Sequence, residues 1–375
     1  MRPFALRTPL SEIADLRLRL AASRFPPSPI GDAADESGMS LTRLGSVVER
    51  WRDGFDWGDV EDGLAATPQF EADVDGQRLH FAHLRAADPA VTERIAVVVF
   101  HGWPYSFVEM LPMARLLAAD PVVVSPGRVI GFDVIVVSLP GYGHSAALDN
   151  RPFTGPVVAR LMHTLMTEVL GYQRYITYGE DVGSTTSDWL AALYPESVLG
   201  LFATHAAFPP PSRQNQLSQD ESSWVSRHEQ DWARASAYAG LQSTRPETLA
   251  VALSDSPAGL AAWMIEKLLS WSGDGSWWSD DDLLTTVSLY WFTNSIGSSF
   301  QPYRDHRLQP ELPLVHVPVA VSVQTGERGL PRSYAARTYT DIRRWRDLDV
   351  GAHFTAWQAP RAVTADIRSF AASLV

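Results

Sequence analysis

The residue most clearly placed for chemistry is Asp181, in the stretch Tyr175-Ile-Thr-Tyr-Gly-Glu-Asp-Val-Gly-Ser184. Tyr175 to Tyr178 is a β-branched and aromatic run that predicts a buried strand. It breaks at Gly179–Gly183, and a helical pattern runs from Ser184 through Trp189 and Leu193 to a stop at Pro195. A strand that turns sharply into a helix between two glycines can pass close to its neighbours while holding one side chain out at the bend. A carboxylate held there can attack carbon directly and form an ester. The competing expectation is that Asp181 caps the following helix, since acidic groups favour helix N-termini.

An ester on Asp181 must be hydrolysed, and a histidine within reach of a water can serve as the general base. His353, in Val350-Gly-Ala-His-Phe354, follows the nucleophile late in the chain. The histidine needs a carboxylate to orient it and to stabilise its cation. Glu327 is the first acidic residue after the strand pattern at 317–323, with Asp347 and Asp349 as alternatives. Hydrolysis also builds charge on the ester oxygen. The backbone N–H groups of Trp103 and Val182 are the candidate oxyanion hole, each such donor being worth roughly 3 kcal/mol. His101 is expected to be structural, and His205 and His316 flank apparent strands.

These groups need a scaffold. Ile95-Ala-Val-Val-Val-Phe100 is a continuous apolar run, as in a parallel strand covered on both faces. It ends in His101-Gly-Trp-Pro104, where Gly102 is expected to permit an unusual turn and Pro104 to stiffen it. Phe132–Val137 is a second strand and leads into Ser138-Leu-Pro-Gly-Tyr-Gly-His-Ser145. A helix is predicted over Pro156–Leu170. Strands alternating with helices predict an α/β doubly wound sheet, with its site at the carboxyl ends of the strands. The loops at 101, 138 and 179 all fall there.

Four segments follow. Residues 1–90 form an N-terminal extension with a helix from Thr8-Pro9 carrying Ile13, Leu16 and Leu20 on one face, a second helix near Leu44–Arg52, and a hairpin turning at Asp75-Gly76. Residues 91–208 are the first part of the core. Residues 209–312, after Phe208-Pro-Pro-Pro211, show only helical patterns, among them Glu247–Leu253 and Leu260–Leu269, with a polar joint at Gly273-Asp-Gly275. They predict an inserted cap. Residues 313–375 return to the core with the strand Val317–Val323, a helix at Ser333–Thr340 and a helical C-terminal region.

The chain has 375 residues, a formal net charge of -12 and 45% apolar residues, which suffices for a sizeable core. The acidic balance argues against nucleic acid and anionic membrane as partners. With no cysteine, disulfides, thiolate chemistry and cysteine-bound zinc are excluded. No apolar run of membrane-spanning length and no apolar leader occur, so a cytoplasmic location is expected. Several of the thirteen tryptophans fall between Trp224 and Trp291 and suggest an apolar lid or cavity, aromatic core being the alternative.

The motifs together resemble the microsomal-type epoxide hydrolases, α/β-hydrolases with an N-terminal extension. His101-Gly-Trp-Pro104, Leu139-Pro-Gly-Tyr-Gly143, Gly179-Glu-Asp-Val-Gly183, Leu289-Tyr-Trp-Phe-Thr-Asn-Ser-Ile-Gly-Ser-Ser299 and Gly351-Ala-His-Phe354 occur in that family's order and span essentially the whole chain. The resemblance implies two cap tyrosines that protonate the departing ring oxygen, at the positions of Tyr238 and Tyr303. Phenols suit that task because they donate a hydrogen bond and then a proton. It also implies epoxide and water as substrates, a vicinal diol as product and no cofactor or metal. A homodimer is compatible with it. Three departures stand out. Val182 replaces a common tryptophan, Tyr105 replaces a frequent glycine and is expected to reshape the entrance, and Gln324-Thr325 replaces an aromatic-proline pair before Glu327.

The nearest alternative is a haloalkane dehalogenase, which shares the fold, the aspartate and the histidine. Its halide needs N–H donors, commonly a tryptophan beside the nucleophile, and Val182 does not supply one. A non-catalytic binding protein of the same fold is the second alternative. No Gly-x-Ser-x-Gly elbow is present for a serine esterase. The aromatic-rich cap suggests a hydrophobic epoxide, aryl among the candidates. Bacterial relatives of this type act in detoxification and in antibiotic biosynthesis, enediyne pathways included, so a biosynthetic role is an expectation of the resemblance.

Overall fold

The structure is a computed structural model that describes residues 1–27, 38–273 and 277–375, so most of the joint expected at 273–275 lies outside the described residues. Its centre is one sheet built from β1 (Arg2–Pro3), β2 (Gln69–Val74), β3 (Gln77–Leu84), β4 (Glu93–Phe100), β5 (Val122–Ser125), β6 (Arg128–Val137), β7 (Tyr175–Gly179), β8 (Val198–Ala203), β9 (Val319–Val323) and β10 (Ile342–Asp347). The order is β1-β2-β3-β6-β4-β7-β8-β9-β10, with β5 paired to β6. From β6 to β10 each neighbouring pair is parallel, whereas β1, β2, β3 and β5 add antiparallel edges. The apolar run Ile95–Phe100 is buried throughout, because helices cover both faces of a central parallel strand.

The hairpin turns where the sequence places it. Asp75 and Gly76 have φ of 51° and 76°, the left-handed pair that a two-residue hairpin turn requires. It does not stand apart from the core, however. β3 pairs with β6 across Phe81–Leu84, so the boundary drawn at residue 90 cuts through the sheet. The helices Leu10–Ala21 and Leu41–Asp53 do lie outside it. They bury Leu16 and Leu20, and Leu44, Val47, Val48 and Trp51.

The expected cap is the set of helices between β8 and β9, including Gln219–Ala235, Ala237–Thr244, Pro246–Asp255, Pro257–Ser270, Asp280–Thr293 and Gln301–Asp305. The extension braces it. Arg43 pairs with Asp280, Arg50 with Asp281 at 2.6 Å, and Arg19 with Asp255 at 2.9 Å. These pairs are largely exposed and individually weak, so the apolar faces beneath them contribute most of the adhesion.

One expectation near the C-terminus is corrected, and one strand there was not predicted. The helix predicted over Ser333–Thr340 is a single turn, Arg332–Ala335. The stretch that follows is the edge strand β10, Ile-Arg-Arg-Trp-Arg-Asp, whose charges mask the strand pattern and protect the open edge. Among the described residues no single helix is long and apolar enough to cross a membrane.

Candidate active site

The parallel register aligns the strand ends that carry chemistry. Phe100 lies opposite Gly179, Gly179 opposite Ala203, and Ala203 opposite Val321. His101, Asp181, His205 and Glu327 therefore leave the sheet at one edge, as the carboxyl-end rule requires.

Asp181 sits at φ 50° and ψ -120°, a conformation that only a firmly braced turn sustains. The bracing comes from crowding. A Cβ on Gly183 would lie 2.5 Å from the carbonyl oxygens of Phe100 and His101. A Cβ on Gly102 would lie 2.4 Å from that of Asp181. Gly102 is thus required for close approach; its φ is not in the left-handed region, and the expected unusual turn is not its reason. The capping alternative also fails, because the Asp181 side chain makes no cap bond to the helix Val182–Leu193. Its Oδ1 instead accepts the Trp103 N–H at 2.9 Å, and the Val182 N–H also bonds the carboxylate. Burial raises the Asp181 pKa, and these two donors oppose that shift by favouring the charged form. Both expected oxyanion donors therefore meet on one carboxylate.

His353 Nε2 lies 3.6 Å from Asp181 Oδ2. Burial lowers the His353 pKa to about 4, so the ring is neutral at ordinary pH. The sign matters, because a base works only when unprotonated. Any step that relies on His353 as base should persist to about pH 5 and fail as pH falls through about 4. Steps that need ionised Asp181 should already fail above the ordinary aspartate range. Following ester formation and decay separately across a pH series checks both; decay that titrates near the ordinary histidine value of about 6.5 would contradict the first.

The cap brings both expected phenols within electrostatic reach of this carboxylate. Tyr238 and Tyr303 have ring centroids 5.8 Å apart, and Asp181 raises the pKa of each after the larger effect of burial. The Trp103 indole stacks on Tyr238 at 5.3 Å and 9° and meets Tyr303 edge-on at 6.0 Å. Trp271 closes the ring wall, 5.2 Å from Tyr238 and 4.9 Å from His353. Other cap tryptophans are packing: Trp224 lies against Phe208 and His228, and Trp278 against Phe354 and Trp357.

Glu327 follows β9 as expected. Burial pushes its pKa up to about 8, and its buried Oε2 has no hydrogen-bond partner. No hydrogen bond joins it to His353 among the described residues. The alternatives Asp347 and Asp349 are both exposed.

Two site residues were not foreseen. His205 Nδ1 accepts the Asp181 N–H at 2.8 Å, so Nε2 carries the proton and donates to the His353 carbonyl at 3.0 Å. One neutral imidazole thus ties the nucleophile turn to the base loop, and burial keeps it neutral by lowering its pKa to about 3. Its position just after β8, level with Gly179, was the available signal. The second is Glu180, fully buried, which accepts from the Tyr178 and Tyr105 hydroxyls and from Ala356 N at 2.7 Å. Burial pushes its pKa up to about 7. Tyr105 therefore belongs to the buried floor, against Glu180 and Phe354, and does not shape an entrance. His101 is structural as expected: Nε2 accepts Leu139 N–H at 3.1 Å and Nδ1 donates to the Gly102 carbonyl.

Known proteins share these segments and this fold. Residues 1–110 match the family model described as epoxide hydrolase N terminus, and residues 95–247 match that of the alpha/beta hydrolase fold. A putative epoxide hydrolase of Stigmatella aurantiaca is 32% identical over 98% of this chain and 83% of its own length. The chain belongs to the epoxide hydrolase family. Epoxide hydrolase 1 of Sus scrofa is 30% identical over 99% of this enzyme and 88% of its own length. The solved Aspergillus niger epoxide hydrolase superposes with a TM-score of 0.85 at 30% identity, covering 100% of this chain and 96% of that one. The juvenile hormone epoxide hydrolase of Bombyx mori shares the fold at a TM-score of 0.90 and 24% identity, covering 100% and 94%. This epoxide hydrolase is thus an α/β-hydrolase with a mostly parallel sheet, and the dehalogenase and binding-protein alternatives give way to epoxide hydrolysis.

Proposed function

We propose that this epoxide hydrolase works in two covalent steps, with Asp181 as nucleophile and His353 as base. The observation that carries the proposal is the single carboxylate that meets the Trp103 and Val182 N–H groups and the His353 ring and whose charge acts on the two cap phenols. Asp181 Oδ2 attacks an epoxide carbon, the ring C–O bond breaks, and Tyr238 or Tyr303 protonates the departing oxygen. While Asp181 is charged it holds both phenols protonated; attack consumes that charge as the alkoxide develops, so acidity rises when it is needed. His353 then takes a proton from water, whose oxygen adds to the ester carbonyl. The oxyanion is Oδ1, already bound to the Trp103 N–H, with the Val182 N–H as the second donor to the same group. Collapse releases the diol and restores the carboxylate.

Glu327 is assigned as the group that stabilises the His353 cation. Chain order, the buried orphan Oε2 and the exposure of Asp347 and Asp349 support it. The substrate inferred is a hydrophobic epoxide, aryl in preference, because Trp103, Trp271, Tyr238 and Tyr303 present ring faces and edges around the reacting groups. A cytoplasmic enzyme acting on a small epoxide and water, without nucleic acid or membrane partners, belongs to the same reading, as does a homodimer. A biosynthetic place, enediyne-type included, rests on the family resemblance alone.

The test uses styrene oxide and a haloalkane with the parent enzyme and with Tyr238→Phe, Tyr303→Phe and the double variant. Diol should form and halide should not. Each single variant should slow ester formation by about 10- to 100-fold, and the double variant by roughly 10²–10⁴-fold, the range for general-acid catalysis. Ester formation at the parent rate in the double variant would refute the phenols' role.

A further inference from the structure

Of the 31 lysines and arginines, Lys267 is the only lysine. It lies in the last turn of the cap helix Pro257–Ser270, with its side chain only 15% exposed, and its Nζ sits 5.1 Å from the ring centroid of Tyr238. Glu266 pairs with it at 2.7 Å. One helical turn on, Trp271 touches the same ring. The chain's single lysine ammonium thus rests, largely buried, on the phenol nearest the Trp103 indole.

We propose that Lys267 is a positioning residue for ring opening, whose ammonium, held over the Tyr238 ring, stabilises the negative charge that this phenol acquires as it gives its proton to the epoxide oxygen. The inference rests on the role assigned above to Tyr238. A cation over an aromatic face is attracted by the electron-rich ring, more strongly where water is excluded. Attraction grows as the phenol becomes phenolate, so it is larger in the transition state than before it, and such a difference accelerates the step. The balance is unchanged: Asp181 Oδ2 bonds to carbon, the C–O bond breaks, and the Tyr238 proton passes to the oxygen. The phenolate is reprotonated when ester hydrolysis returns the carboxylate and releases a proton. Lys267 exchanges no proton. Tyr303, whose ring has no such cation over it among the described contacts, gains no equivalent help.

The experiment is a double-mutant cycle read by single-turnover kinetics with styrene oxide, following ester formation and ester decay separately. Lys267→Met should slow formation about tenfold, the fold-change expected of a desolvated cation–π contact. Decay should be unchanged, since His353 governs it. Lys267→Arg should recover most of the loss, because guanidinium also stacks on rings. In the Tyr238→Phe background Lys267→Met should have almost no further effect, as no proton leaves that ring. If Lys267→Met does not fold, Lys267→Gln takes its place in the cycle. Parent-rate ester formation in Lys267→Met, or an equal loss in both backgrounds, overturns the proposal. Parent-rate ester formation in Tyr238→Phe removes the role of Tyr238 itself and this inference with it. A slow Tyr238→Phe beside a normal Lys267→Met removes only the inference.

Discussion

The substitution Asp181→Asn is expected to abolish diol formation, by about 10⁴-fold or more in turnover, the scale seen when a nucleophile is deleted. The same variant should be at least as heat-stable as the parent. The new side-chain amide oxygen can still accept the Trp103 N–H, and asparagine tolerates the positive φ found at this position. Desolvation is the largest influence on the native carboxylate and disfavours its charge, so an uncharged amide relieves a cost instead of adding one. Loss of activity together with an unchanged or raised thermal midpoint would separate chemistry from folding. Residual turnover within tenfold of the parent would refute the nucleophile.

The substitution His353→Gln is expected to uncouple the two steps. Ester formation should run close to the parent rate, because the ring is no part of the attack. Ester hydrolysis should fall by roughly 10²–10⁴-fold, the contribution of a positioned base. Intact-protein mass measured soon after mixing should therefore show the enzyme heavier by one epoxide, at near-stoichiometric occupancy. The brace survives the change, since His205 donates to the backbone carbonyl of residue 353 and not to its side chain. An unmodified protein that is also inactive would instead mean that residue 353 is needed for the attack.

How far the sequence could be read depended on where its information is local. The turn Gly179–Gly183 is local: two glycines, an aspartate and a strand–helix change of period lie within a few residues, and the crowding at Gly183 explains why no larger residue serves. His353 and the hairpin at Asp75-Gly76 are legible for the same reason. The brace formed by His205 is not local. It exists only because the register of β7 and β8 brings Gly179 level with Ala203, so a histidine that looks like a strand flank becomes a clamp. Glu180 was hidden by its neighbour, and its meaning depends on Tyr105 and Ala356, far off in the chain. β10 was missed because its arginines blur the alternation that marks a strand. That the extension joins the same sheet as the core was not legible, because pairing between β3 and β6 cannot be seen in either segment alone.

The central claim is that carbon bonds to Asp181 before water enters. A single turnover with enzyme in excess, run in heavy-oxygen water, tests it most directly. The account predicts a first diol carrying no solvent oxygen at the newly formed hydroxyl and a heavy oxygen in the Asp181 carboxylate, found by mass spectrometry of the peptide containing it. A first diol fully labelled from solvent, with Asp181 unlabelled, would contradict it.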